Sequence, residues 1–162
     1  MSTPAPLRVA LAGLGSMGRN HLRVIAAHPE CRLVAVGDPD PEMLGAATRQ
    51  TGAAGWSDPI AMANEAEIDA LVIAAPTTAH VALALAAIER GIPILVEKPL
   101  AATPAEALGI VRTAKASGVP VQVGHVERYN PAVLELGRLL HTRWLTTVYS
   151  IASRPSSRTA GL

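Results

Sequence analysis

An α/β fold, a doubly wound parallel sheet followed by the truncated start of a second α/β domain, is predicted by three observations. Short apolar runs rich in Val, Ile, Leu and Ala alternate with segments of helical spacing, the pattern of successive βαβ units. Pro or Gly stands near several of the helical segment ends, as start and stop signals. The composition supplies a core, with 49% of residues hydrophobic and 17% charged, which argues against disorder.

Taken in order, strands are expected at residues 7–12, 32–37, 69–75, 92–96 and 119–123, with a weaker one at 54–56. Helices fit between them at about 17–27, 41–51, 78–90 and 104–117. After Val123 the character changes. Asn130-Pro131 opens a further helix running to about 140, and residues 144–152 read as one more strand. A strand needs neighbours to satisfy its backbone groups, and no later strand follows to provide them. Residues 1–123 are therefore expected to form one complete domain and 124–162 the incomplete beginning of another. At 162 residues the chain suffices for one well-buried domain and is short for two that close around a substrate.

Lys plus Arg number 14 against 13 Asp plus Glu, without a block of like charge, so no electrostatic footprint for nucleic acid or an anionic membrane is visible. A small-molecule partner is expected. Cys31 has no second cysteine to pair with and is expected to be a buried, inert thiol. The first six residues lack a basic region followed by an apolar stretch, and no apolar run approaches the roughly 20 residues of a membrane span. A cytoplasmic protein is the expectation.

Directly after the first strand stands Gly13-Leu14-Gly15-Ser16-Met17-Gly18. This G-x-G-x-x-G spacing, in its strand–turn–helix setting, predicts a Rossmann-type dinucleotide-binding domain. Gly13 permits the tight turn, Gly15 lets the backbone approach a pyrophosphate, and Gly18 lets the helix pack on the strand. Asp38 ends the second strand, 20 residues after Gly18, where a carboxylate can accept hydrogen bonds from ribose hydroxyls and repel a ribose phosphate. With Pro39, Asp40 and Pro41 following and no Arg or Lys, NAD is expected over NADP. The plainer alternatives are a tight turn without a ligand and a helix-capping Asp38.

Joined to Ala75-Pro76-Thr77-Thr78-Ala79-His80 and to Glu97-Lys98-Pro99, the stretch from Gly13 to Arg19-Asn20-His21 resembles the Gfo/Idh/MocA oxidoreductases, NAD(P)-dependent dehydrogenases of sugars, inositols and nucleotide sugars. The resemblance implies that Ala75, Pro76 and Thr77 lie along the cofactor toward its nicotinamide. His80 either reaches the same crevice or satisfies a local backbone group. Lys98 is the implied catalytic residue, a cation placed where alkoxide character develops on the substrate oxygen as hydride leaves its carbon. Glu97 orients the ammonium or the nicotinamide ribose, or else forms a structural ion pair, and in the family the bond before this Pro is commonly cis. Gly124-His125-Val126-Glu127-Arg128-Tyr129-Asn130-Pro131 is most like members acting on UDP-N-acetylamino sugars, such as UDP-N-acetylglucosamine 3-dehydrogenases. His125 and Arg128 then become substrate candidates, a diphosphate suiting Arg128, although either residue could cap the following helix.

Family members continue into a larger antiparallel domain that forms the substrate wall and the subunit interface, so homo-oligomerisation is expected of a full-length form. That domain carries an Asp-x-x-x-His pair with the acid/base His, yet no Asp follows Pro99, and His141 has Gly137 four residues before it. His141 is expected to be a helix-end residue. Two functions follow: the N-terminal portion of an NAD-linked sugar or nucleotide-sugar dehydrogenase, binding cofactor with little turnover, or a free-standing NAD(H)-binding module or sensor. No metal site is expected.

Overall fold

The computed structural model describes residues 5–141. They divide into two compact units, with the break between Gly124 and His125. The first unit is a six-stranded sheet in the order β3-β2-β1-β4-β5-β6, and every pairing in it is parallel. Its strands are β1 Leu7–Ala12, β2 Cys31–Gly37, β3 Ala54–Trp56, β4 Ala70–Ile73, β5 Ile94–Glu97 and β6 Val121–Gly124. The helices between them are α1 Ser16–Ala27, α2 Pro41–Thr51, α3 Pro59–Glu65, α4 Thr77–Glu89 and α5 Pro104–Ser117. The predicted Rossmann-type α/β fold is present. The expected strand at 144–152 lies outside the described residues.

Period-two alternation along each strand sorts the core onto two faces. Ala10, Ala12, Leu71, Ile73, Ile94 and Val96 pack with Met62 of α3, Leu83 and Ala87 of α4, and Ile110 of α5. Val9, Leu11 and Val72 pack on the other face with Leu22 and Ile25 of α1 and Ala47 of α2. Each fully buried Leu or Ile contributes roughly 1.5–3 kcal/mol. Helix ends follow local chemistry: Asp40 and Asp58 cap α2 and α3 by accepting from the second and third helical N–H groups, each with Pro at the first helical position. Thr103 and Glu106 form a capping box on α5.

Three expectations need correction. Helix α3 was not anticipated, because seven residues are too few for a clear apolar period, although Asp58-Pro59 is a start signal. Cys31 is half-buried rather than buried, since it opens its strand. Asp69 is not a strand residue: it stands at the amino ends of the strands, accepting from the Arg8 backbone N–H at 2.8 Å and from the Arg8 guanidinium at 2.9 Å. The guanidinium and backbone hydrogen bonds hold its carboxyl down at about 2.

Among the described residues, no helix is long and apolar enough to cross a membrane.

Candidate functional site

In the strand order, β1 and β4 are neighbours although their onward connections run to opposite sides of the sheet. Such a switch point opens a crevice outside the carboxyl ends of the two strands. Here it is a cleft of about 610 Å³, within the range of small-ligand sites. Gly13, Gly15 and Met17 line it after β1, Asp38 and Pro39 after β2, Ala74, Ala75, Pro76 and Thr78 after β4. Asp58, Pro59 and Ile60, at the start of α3, line it as well. Sequence reasoning missed these three with their helix.

The three glycines of the first turn differ in what constrains them. Gly13 has φ +91°, and a Cβ there would lie 2.5 Å from the Ala75 nitrogen, so both conformation and the neighbouring turn demand glycine. A Cβ on Gly18 would run into the Gly13 carbonyl oxygen. Around Gly15 nothing lies within 4 Å of such a Cβ, and its φ of −63° is open to any residue. No protein atom explains that glycine. It borders the cleft at the N-cap of α1, where the first helical N–H groups, from Ser16 to Gly18, have no carbonyl of their own helix to bond. Leu14 contributes backbone, its side chain being buried in the core.

Asp38 is 8% exposed. Its Oδ2 accepts from the Leu14 N–H at 2.7 Å and its Oδ1 from the Asp40 N–H at 2.9 Å. The carboxylate thus ties the end of β2 to the glycine turn. The cap on α2 comes from Asp40 rather than Asp38.

Across the crevice, Ala75-Pro76 leads into α4, with Thr77 its first residue. His80, one turn into α4, is 1% exposed. Its Nδ1 lies 2.9 Å from the Pro99 carbonyl oxygen and its Nε2 2.9 Å from the Ala75 carbonyl oxygen. Of the two expectations for His80, the geometry fits the backbone one, because neither ring nitrogen is left to face a ligand. The Lys98–Pro99 peptide bond is cis. Lys98 is exposed and belongs to no ion pair among the described residues.

Glu97 is 7% exposed. Its Oε1 meets His21 Nε2 at 2.8 Å, and its Oε2 accepts from the Lys98 N–H at 3.3 Å. Gly124, beside it on β6, makes room: a Cβ there would come within 3.1 Å of the carboxylate. The side-chain partner of Glu97 is His21 of α1, through a hydrogen bond. His21 was noted only as the end of a motif.

In the second unit, His125 precedes a single 3₁₀ turn over Val126–Tyr129 and accepts the Arg128 N–H at its carbonyl. Arg128 is exposed. Neither side chain caps helix α6, Pro131–Leu140; Asn130 does, accepting from the Ala132 N–H at 3.0 Å. His141 ends α6, its Nδ1 2.7 Å from the Gly137 carbonyl.

Residues 7–125 match the family model described as the Gfo/Idh/MocA oxidoreductase family, NAD-binding Rossmann fold. Inositol 2-dehydrogenase 4 of Saccharopolyspora erythraea is 44% identical over 138 residues, which are 83% of this chain and 41% of that protein. The scyllo-inositol 2-dehydrogenase (NAD(+)) of Bacillus subtilis is 35% identical over 82% of this chain and 39% of its own length. Among solved structures, the WlbA dehydrogenase of Bordetella pertussis, in complex with NADH and UDP-GlcNAcA, superposes with a TM-score of 0.78. It is 30% identical, with 83% of this chain and 42% of that one covered. The chain thus spans about two fifths of the length of these relatives. With the glycine turn, the crevice and a match running from β1 into the residue after β6, this chain belongs to the Gfo/Idh/MocA family of NAD-binding oxidoreductases.

Proposed function

We propose that the first unit holds NAD(H) in the crevice between β1 and β4 and serves a dehydrogenase that oxidises a secondary alcohol of a sugar, inositol or nucleotide sugar. The observation that carries the reading is Gly15: a glycine that no protein contact and no backbone angle requires, facing a cleft at the free N–H groups of a helix start. A pyrophosphate there accounts for it. Asp38 borders the same cleft with a carboxylate that suits ribose hydroxyls and opposes a ribose phosphate, which favours NAD over NADP.

Bound with its nicotinamide toward Ala75-Pro76-Thr77, the cofactor supplies the hydride acceptor. Lys98 is the catalytic residue of this reading. Its exposed ammonium, at the carboxyl end of β5, donates a hydrogen bond to the substrate oxygen and stabilises the negative charge that grows there. His125 and Arg128 are proposed substrate contacts, Arg128 for a diphosphate if the substrate is a nucleotide sugar. Relatives of both substrate kinds, inositol and UDP-sugar, are among the similar proteins. The chain as given is proposed to bind the dinucleotide with little turnover, because it holds no Asp after Pro99 and therefore no Asp-x-x-x-His pair.

Titration of the chain with NADH and NADPH tests this directly. Saturable NADH binding that is weakened on the order of a hundredfold by Gly15→Ala, about 2.7 kcal/mol, supports the site. Equal affinity in wild type and variant overturns it.

A further inference from the structure

We propose that His21 and His80 are positioning residues that hold Lys98 against the crevice from opposite faces of the sheet. The inference rests on the reading of Lys98 and the cleft just given. His21 belongs to α1, which packs on one face through Leu22 and Ile25; His80 belongs to α4, which packs on the other through Leu83 and Ala87. Each reaches one residue beside Lys98. His21 meets Glu97 Oε1 at 2.8 Å, while Glu97 Oε2 accepts the N–H of Lys98 itself. His80 contacts the carbonyl of Pro99 and, with its other nitrogen, the carbonyl of Ala75, both at 2.9 Å.

The lysine is thus flanked by two tethers. One ends on the helix whose start carries the glycine turn, the other on the turn after β4 that lines the cleft. Both tethers are sheltered, with Glu97 7% and His80 1% exposed, so water competes weakly for these contacts. The Lys98 side chain is itself exposed. Its placement therefore comes from the two backbone neighbours that the imidazoles fix, and through them it is tied to the walls that contact a dinucleotide.

The chain contains two lysines, Lys98 and Lys115, so protein labelled with carbon-13 at the lysine ε-carbon gives one signal from the turn after β5 and one reference on α5. Saturating NADH is expected to shift the Lys98 signal and leave that of Lys115 in place. His21→Ala and His80→Ala are each expected to cut the Lys98 shift by more than half at saturating NADH. His21→Gln, which retains an N–H toward Glu97, restores it; a role in stability alone would not follow that pattern. A shift of wild-type size in both alanine variants overturns the inference. Should His80→Ala fail to fold, the His21 pair decides, since that half-buried residue lies on an outer helix. A wild-type chain that binds no NADH, or binds it without moving Lys98, overturns the reading of the crevice and this inference together.

Discussion

The glycine turn after β1 and the Glu97–Pro99 turn after β5 stand at the same edge of one sheet and are built by opposite means. The first is made almost entirely of backbone: Gly13 and Gly18 remove side chains so that chain segments can touch, and a single carboxylate, Asp38, closes it. The second is held by side chains arriving from 76 and 19 residues away, His21 on Glu97 and His80 on Pro99. At Gly13 and Gly18, a turn shaped by missing atoms is intolerant of any addition. A turn held by imidazoles should instead lose its order by degrees, as each tether goes.

The largest effect is expected where the backbone turn is broken. Gly18→Ala drives a methyl into the Gly13 carbonyl, and overpacking of this kind costs roughly 3 kcal/mol; urea unfolding should show a lower midpoint with the slope unchanged. Gly15→Ala sharpens the contrast within that same turn. Its stability should stay within about 1 kcal/mol of wild type, although NADH affinity should fall on the order of a hundredfold. In the side-chain-held turn, Glu97→Gln leaves one amide where two acceptors served His21 and Lys98. A loss of about 1–2 kcal/mol is expected, read by thermal or urea melting.

The smallest effect belongs to the far end of the sheet. Asp69 has its carboxyl depressed from 3.8 to about 2 by Arg8, so the folded state releases this proton more readily than the unfolded one. Its contribution is therefore present above about 3.8 and is lost as pH falls through about 2. Asp69→Asn should flatten the stability profile across that window. The change will be slight, because both partners are solvent-exposed.

The same contrast explains what the sequence could reveal. The strands, four of the five helices in the first unit, and the glycine turn with Asp38 were legible, since each is written in neighbouring residues: an apolar run, a cap, a fixed spacing. Helix α3 escaped because it is one short stretch after a capping Asp, and its cleft-lining residues escaped with it. His21 and the double contact of His80 were illegible for another reason. Whether an imidazole faces a ligand or a carbonyl depends on which strands become neighbours, and β1, β4 and β5 adjoin only after the chain has crossed the sheet. For Glu97 the sequence offered a structural contact among its alternatives, but no means to name His21 as the partner.

The two short hydrogen bonds of Asp38 carry a consequence for redesign. Both carboxylate oxygens already serve backbone N–H groups, one in the glycine turn and one ahead of α2. Exchanging this residue for a cation or a small neutral one, to admit the phosphorylated ribose that the proposed reading excludes, would leave those donors orphaned and loosen the glycine turn. On the proposed reading, coenzyme preference and loop integrity would be inherited through a single side chain. A lineage, or an engineer, that changes the first must supply new acceptors for Leu14 and Asp40 at the same time.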